Sequence, residues 1–117
     1  MNDNKNQLRE DTIEFALQIS DLCDEIKGCS VYVNQIVRSS SSIGANIHEA
    51  QYAQSKKDFI AKLEIALKES HETSYWLKLM YETKRIDVTT YQRTEKLCGN
   101  IRRLLIASCR AAKGDGK

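Results

Sequence analysis

The chain has 117 residues, 41% of them hydrophobic, with no proline, 18 basic and 16 acidic groups and a net charge of +2. That length suits a single domain, 1–117, which buries about two thirds of its unfolded surface. The longest uncharged run, Ser39 to Ile47, is too short and too rich in serine to cross a bilayer, and Met1 to Gln7 are polar, so a cytoplasmic protein without a membrane partner is expected.

The first predicted helix covers about residues 8–27, where Leu8, Thr12, Phe15, Ile19, Leu22 and Ile26 recur at spacings of four and three. Gly28 ends it, because glycine takes the left-handed conformation that closes a helix. The second helix is expected over about 31–53, with Val33, Ile36, Val37, Ser40, Ile43, Gly44, Ile47 and Ala50 on one face. Its centre, Ser39 to Ala45, is poor in helix propensity. Small side chains there admit a neighbouring backbone, while a serine-rich loop is the competing reading.

Ser55-Lys56-Lys57-Asp58 is a loose capping box and starts a third helix over about 56–85. Phe59, Leu63, Ala66, Leu67, Ser70, Ser74, Leu77 and Tyr81 form its seam, yet Ile65, Trp76 and Leu79 point almost the opposite way. A second apolar stripe marks a self-association interface, unless this helix is central and covered on both sides within one chain. Asp87 caps a fourth helix over about 88–112, with Tyr91, Thr94, Cys98, Ile101, Leu105 and Ser108 inward. Four helices on short connections predict an all-α, antiparallel up-down-up-down bundle.

Catalytic and metal chemistry lack their patterns. His48 and His71 each precede a glutamate, but the residue four positions on is a tyrosine, so neither completes HExxH. Two facing Glu-x-x-His motifs, as in di-iron bundles, are missing as well, since Ala45 and Lys68 hold the glutamate positions. Cys23, Cys29, Cys98 and Cys109 form no CxxC pair, and Cys98 and Cys109 stand about 16 Å apart along one helix, beyond disulfide reach. Free thiols, no metal, no cofactor and no enzyme activity are therefore expected.

Charge is distributed unevenly. Residues 1–27 hold three basic and seven acidic groups, residues 93–117 seven basic and two acidic. Attraction between first and last helices as bundle neighbours is one reading; a basic surface for phosphates is the other, and the two are compatible. The candidate nucleic-acid residues are Lys56, Lys57, Arg93, Lys96, Arg102, Arg103 and Arg110, with Lys84, Arg85 and Lys113 nearby in sequence. Gln35, Arg38, Asn46 and Glu49, close to the inward seam of the second helix, are read as a buried structural polar network fixing helix register, with a ligand site as the alternative.

Gln35 to Ala50 (QIVRSSSSIGANIHEA), followed by Ser55 to Ile60 (SKKDFI) and Leu63 to Glu69 (LEIALKE), resembles the bacterial family of four helix bundle proteins, or 23S rRNA intervening sequence proteins. The resemblance implies a small bundle forming a ring of five subunits, with members encoded inside sequences inserted in bacterial ribosomal RNA genes. It implies no catalytic motif, and it makes Arg38, Asn46 and Glu49 structural residues. A related branch, the accessory variability determinant proteins of diversity-generating retroelements, binds nucleic acid and a reverse transcriptase. The expected function is thus a non-enzymatic homo-oligomer, a pentamer, binding RNA or DNA through basic groups. The alternative is an adaptor or scaffold for a protein partner. A carrier of apolar ligands would need a cavity that the closely spaced seams give no reason to expect.

Overall fold

A computed structural model describes residues 2–114, with side chains described from residue 6 onward. All of its regular structure is helical: α1 (Asn2–Glu25), α2 (Ser30–Ala50), α3 (Lys56–Glu82) and α4 (Val88–Lys113). The body measures 44 × 23 × 19 Å, so the helices lie along its length. Each packs against two others, α1 and α3 both against α2 and α4, and the α2–α3 contact is the most extensive. Cross-helix partners define the register. From Arg38 and Ser39 to Glu49 the α2 position rises, while the α3 partner drops from Glu72 and Thr73 to Lys62. Along α3 and α4 the same opposition holds, from Glu64 with Lys113 to Ser74 with Glu95.

The predicted breaks and caps lie where the residues place them. Gly28 takes φ +106°, Asp58 N donates to Ser55 Oγ at 3.0 Å, and Thr90 N donates to Asp87 Oδ1 at 2.7 Å. Several boundaries differ from the sequence reading, among them the ends of α1 and α3, which stop at Glu25 and Glu82 rather than at about 27 and 85. The helix at the start runs back to Asn2, because a seam can only be traced from its first apolar residue, Leu8, whereas the backbone ladder continues through polar ones. α2 stops at Ala50, and the N–H groups of Gln51, Tyr52 and Ala53 turn back onto the carbonyls of His48, Glu49 and Ala50. At the end of α3, Lys84 adopts φ +63°, and the N–H groups of Lys84 and Arg85 close onto Tyr81 and Met80 in a Schellman arrangement that usually carries glycine.

The serine-rich segment is helical, and its small residues do admit close neighbours. A Cβ on Gly44 would stand 2.9 Å from Thr12 Cγ2, so α1 and α2 approach here only because that position is glycine. Ser39 is fully buried with its Oγ 2.8 Å from Thr73 Oγ1, and the single Thr73 hydroxyl hydrogen is shared between Ser39 Oγ and Glu69 O, 2.9 Å away. Buried hydroxyls elsewhere bond back along their own helices, Thr12 to Leu8 O and Thr94 to Thr90 O, which satisfies them without a cross-chain partner.

The four cysteines are free. Burial pushes the Cys98 thiol up to about 11 from the ordinary 9.0. The consequence for stability has a definite sign. Below pH 9 the thiol is protonated in both folded and unfolded chains and contributes nothing. Between pH 9 and 11 the unfolded chain ionises first, and the folded state loses up to about 3 kcal/mol as pH rises. Urea unfolding of the native chain and Cys98→Ala, at about pH 8 and about pH 10.5, is expected to show a gap in stability that narrows at the higher pH. A gap independent of pH would contradict the assignment.

Candidate nucleic-acid interface

α4 carries six basic residues and one acidic residue, and the fold sorts them. Glu95 turns toward α3, where its Oε2 accepts from Ser74 Oγ at 3.1 Å and its buried Oε1 has no hydrogen-bond partner among the described residues. Arg102 turns the same way. Its Nη2 donates to Ser70 O at 2.9 Å and to Ser74 Oγ, and its Nε donates to Ser70 Oγ at 3.2 Å. Lys113 pairs with Glu64 at 2.8 Å. Four cations then remain on the outer side.

Those four, Arg93, Lys96, Arg103 and Arg110, are exposed. At helical geometry they fall within an arc of about 100° and over roughly 26 Å of the axis. None has a carboxylate within ion-pair distance among the described residues; Arg103 donates instead to Asn100 Oδ1 at 2.6 Å. Arg93 is near enough to help the Thr90 N–H, the larger influence, hold Asp87 below the usual carboxylate range. Although α1 and α4 are neighbours, among the described residues the charge asymmetry does not collapse into ion pairs between α1 and these four groups.

Lys56 and Lys57 are exposed at the N-terminus of α3, and the Lys113–Glu64 pair places that end of α3 beside the last turns of α4. Of the candidate residues, six are therefore on the surface, while Arg102 is committed to the α3–α4 groove.

The polar network also differs in place from its expectation. Rather than being buried, it lines the rim of the α2–α3 groove. Arg38, half exposed, bonds Gln35 on its own helix and crosses to Glu69 and Glu72. Glu49 pairs with Lys62 at 3.2 Å, and Asn46 donates to Ser42 O within α2. The inward positions that fix the α2–α3 contact are Ser39 and Thr73, which the apolar pattern skipped.

Ile65 is 43% exposed, whereas Trp76 and Leu79 are half buried. Trp76 packs beside Tyr32 of α2, with ring centroids 6.2 Å apart, and its Nε1 donates to Glu72 at 3.0 Å. That bond, followed by the one from Arg38, holds the Glu72 carboxyl below its ordinary range. Tyr75, 56% exposed, meets the same indole edge-on and extends the aromatic surface outward.

Fold and surface together define an all-α four-helix protein whose last helix carries a cationic face with no ion pair among the described residues. The chain belongs to the 23S rRNA-intervening sequence protein family, whose model matches residues 4–107. It is also similar to a crystal structure of a protein of unknown function from the S23 ribosomal protein family of Bacteroides thetaiotaomicron. That likeness has 41% identity and a TM-score of 0.88, and covers 92% of this chain and 98% of the other. No curated protein matches significantly. No helix among the described residues is long and apolar enough to cross a membrane.

Proposed function

We propose that this chain is a non-enzymatic, cytoplasmic protein that assembles with copies of itself into a pentameric ring. In this reading it binds RNA or DNA without sequence preference through the outer face of α4. The opposed registers of α2 with α3 and of α3 with α4 support an up-down-up-down bundle beneath that function. The observation that carries the binding is the row of four unpaired cations, since cations spared from internal ion pairs are free to displace counterions from a phosphate backbone. Repetition around a ring multiplies a modest patch into an extended field.

Self-association is assigned to the α3 face bearing Ile65, Tyr75 and Leu79. Trp76→Glu is a poor test, because it would also break the Tyr32 and Glu72 contacts inside one chain. Ile65→Glu combined with Tyr75→Glu is expected to reduce the particle to a monomer in analytical ultracentrifugation without loss of helix content. Retention of the native mass would remove this face from the assembly.

One observation favours the second reading, a protein adaptor. Ile13 and Leu17, one turn apart on α1, are 65% and 57% exposed, an apolar pair that nucleic acid would not use. An adaptor would lose its partner on Ile13→Glu and be indifferent to salt.

A further inference from the structure

A cleft of about 490 Å³ opens at the end of the bundle where the turn between α2 and α3 meets α1 and α4. It exists because α2 ends at Ala50 and the chain swings outward before α3 begins, so the inner seams part at their ends. Core side chains Ile47 and Leu63 form its floor, and Phe59 forms an aromatic wall. Its mouth is polar: Arg9 comes from α1, Gln51 from the turn, Lys56 from the start of α3 and Ser108 from α4.

This mixture narrows the ligand. A purely apolar molecule would leave two cations and two hydrogen-bonding side chains unused, and an inorganic anion would leave the apolar floor wet. A nucleobase carrying a phosphate uses both halves. The base plane meets Phe59 and the apolar floor, the Gln51 amide and Ser108 hydroxyl suit base edges, and Arg9 and Lys56 face the phosphate. The N–H groups at the first turn of α3 add positive potential. Asp58, the carboxylate of that turn, lies outside the cleft lining and accepts from Gln54 N at 3.3 Å.

We infer that this cleft receives one unpaired nucleobase of a single strand whose backbone runs along α4. The inference rests on α4 as the phosphate-binding face. Continuity supports it: Arg110 stands on the last turns of α4, the Lys113–Glu64 pair sets those turns beside the first turns of α3, where Lys56 rims the cleft, and Ser108 reaches the cleft from the inner side of α4. A paired base presents no free plane to Phe59, so the cleft selects single strands over duplexes.

The test titrates the full-length chain with an unstructured RNA, the same RNA annealed to its complement, and free adenosine monophosphate followed by NMR. Ser108→Phe, which fills the cleft, and Lys56→Glu, which alters only its exposed rim, are compared after circular dichroism has verified their folding. The expected result is a preference for the single strand of roughly tenfold or more. Ser108→Phe should bring the ratio toward one, and adenosine monophosphate should shift the Gln51, Lys56 and Phe59 resonances, less so in Lys56→Glu. Equal affinity for single strand and duplex without nucleotide-induced shifts would overturn the inference while leaving α4 as a phosphate surface. Nucleotide binding in the cleft without any oligonucleotide binding would keep the base site and refute the α4 reading. Binding of neither would refute both.

Discussion

Arg102→Glu is expected to lower the stability of the fold by about 3 kcal/mol, and Arg103→Glu by less than about 0.5 kcal/mol, although the two residues are adjacent and identical. Arg102 bonds the Ser70 carbonyl and both the Ser70 and Ser74 hydroxyls across the α3–α4 groove. The glutamate would lose all three, and would bring a second carboxylate into the groove that already holds Glu95 with one oxygen unpartnered. Its cost is that of leaving polar groups unsatisfied in a partly buried place. Among the described residues Arg103 hydrogen-bonds Asn100 on its own helix and nothing across a groove. Urea melts of the two variants check this directly, and equal losses would contradict the inward assignment of Arg102.

The second large effect concerns binding. Replacing Arg93, Lys96 and Arg103 together by glutamate is expected to weaken association with single-stranded RNA roughly 100-fold at low salt. It should also reduce the magnitude of the slope of log affinity against log salt by about 2, the share of three phosphate contacts on a single strand. Because none of the three makes an ion pair among the described residues, the fold should be unaffected. Anisotropy at several salt concentrations, with a thermal melt as the control, measures both quantities. A variant with native affinity and native slope would show that phosphates contact another face.

The contrast between Arg102 and Arg103 also shows where sequence reading stops. The seams of α1 to α4 were legible because apolar residues recur at three and four, and the breaks were legible because Gly28, Ser55 with Asp58, and Asp87 each have a specific backbone task. Charged residues carry no such phase unless they are placed on a seam. A signal was there: Tyr91, Glu95, Cys98, Arg102, Leu105 and Cys109 keep the inward spacing of four and three, and Ser70 and Ser74 are seam hydroxyls needing a partner.

Ser39 and Thr73 escaped for a related reason. Hydropathy does not mark a buried hydroxyl pair, although Ser39 precedes Ser40 in a helix whose small residues were recognised. Arg38 and Glu49 were drawn toward the core by their nearness to the seam, but long charged side chains reach the rim and meet Glu69, Glu72 and Lys62 there. The end cleft had no sequence signal at all. It arises from three residues, Gln51 to Ala53, leaving the helix early, and a boundary of that size is beyond what periodicity resolves.

The most direct test of the central claim is the fluorescence anisotropy of a labelled single-stranded RNA titrated with the native chain at two salt concentrations. Weak binding at low salt that falls steeply as salt is added is the predicted result, because unpaired cations on α4 displace counterions from phosphates. No binding at low salt, or binding that salt leaves unchanged, would contradict a phosphate-binding role and leave the exposed apolar surface of α1 as the place to seek a partner.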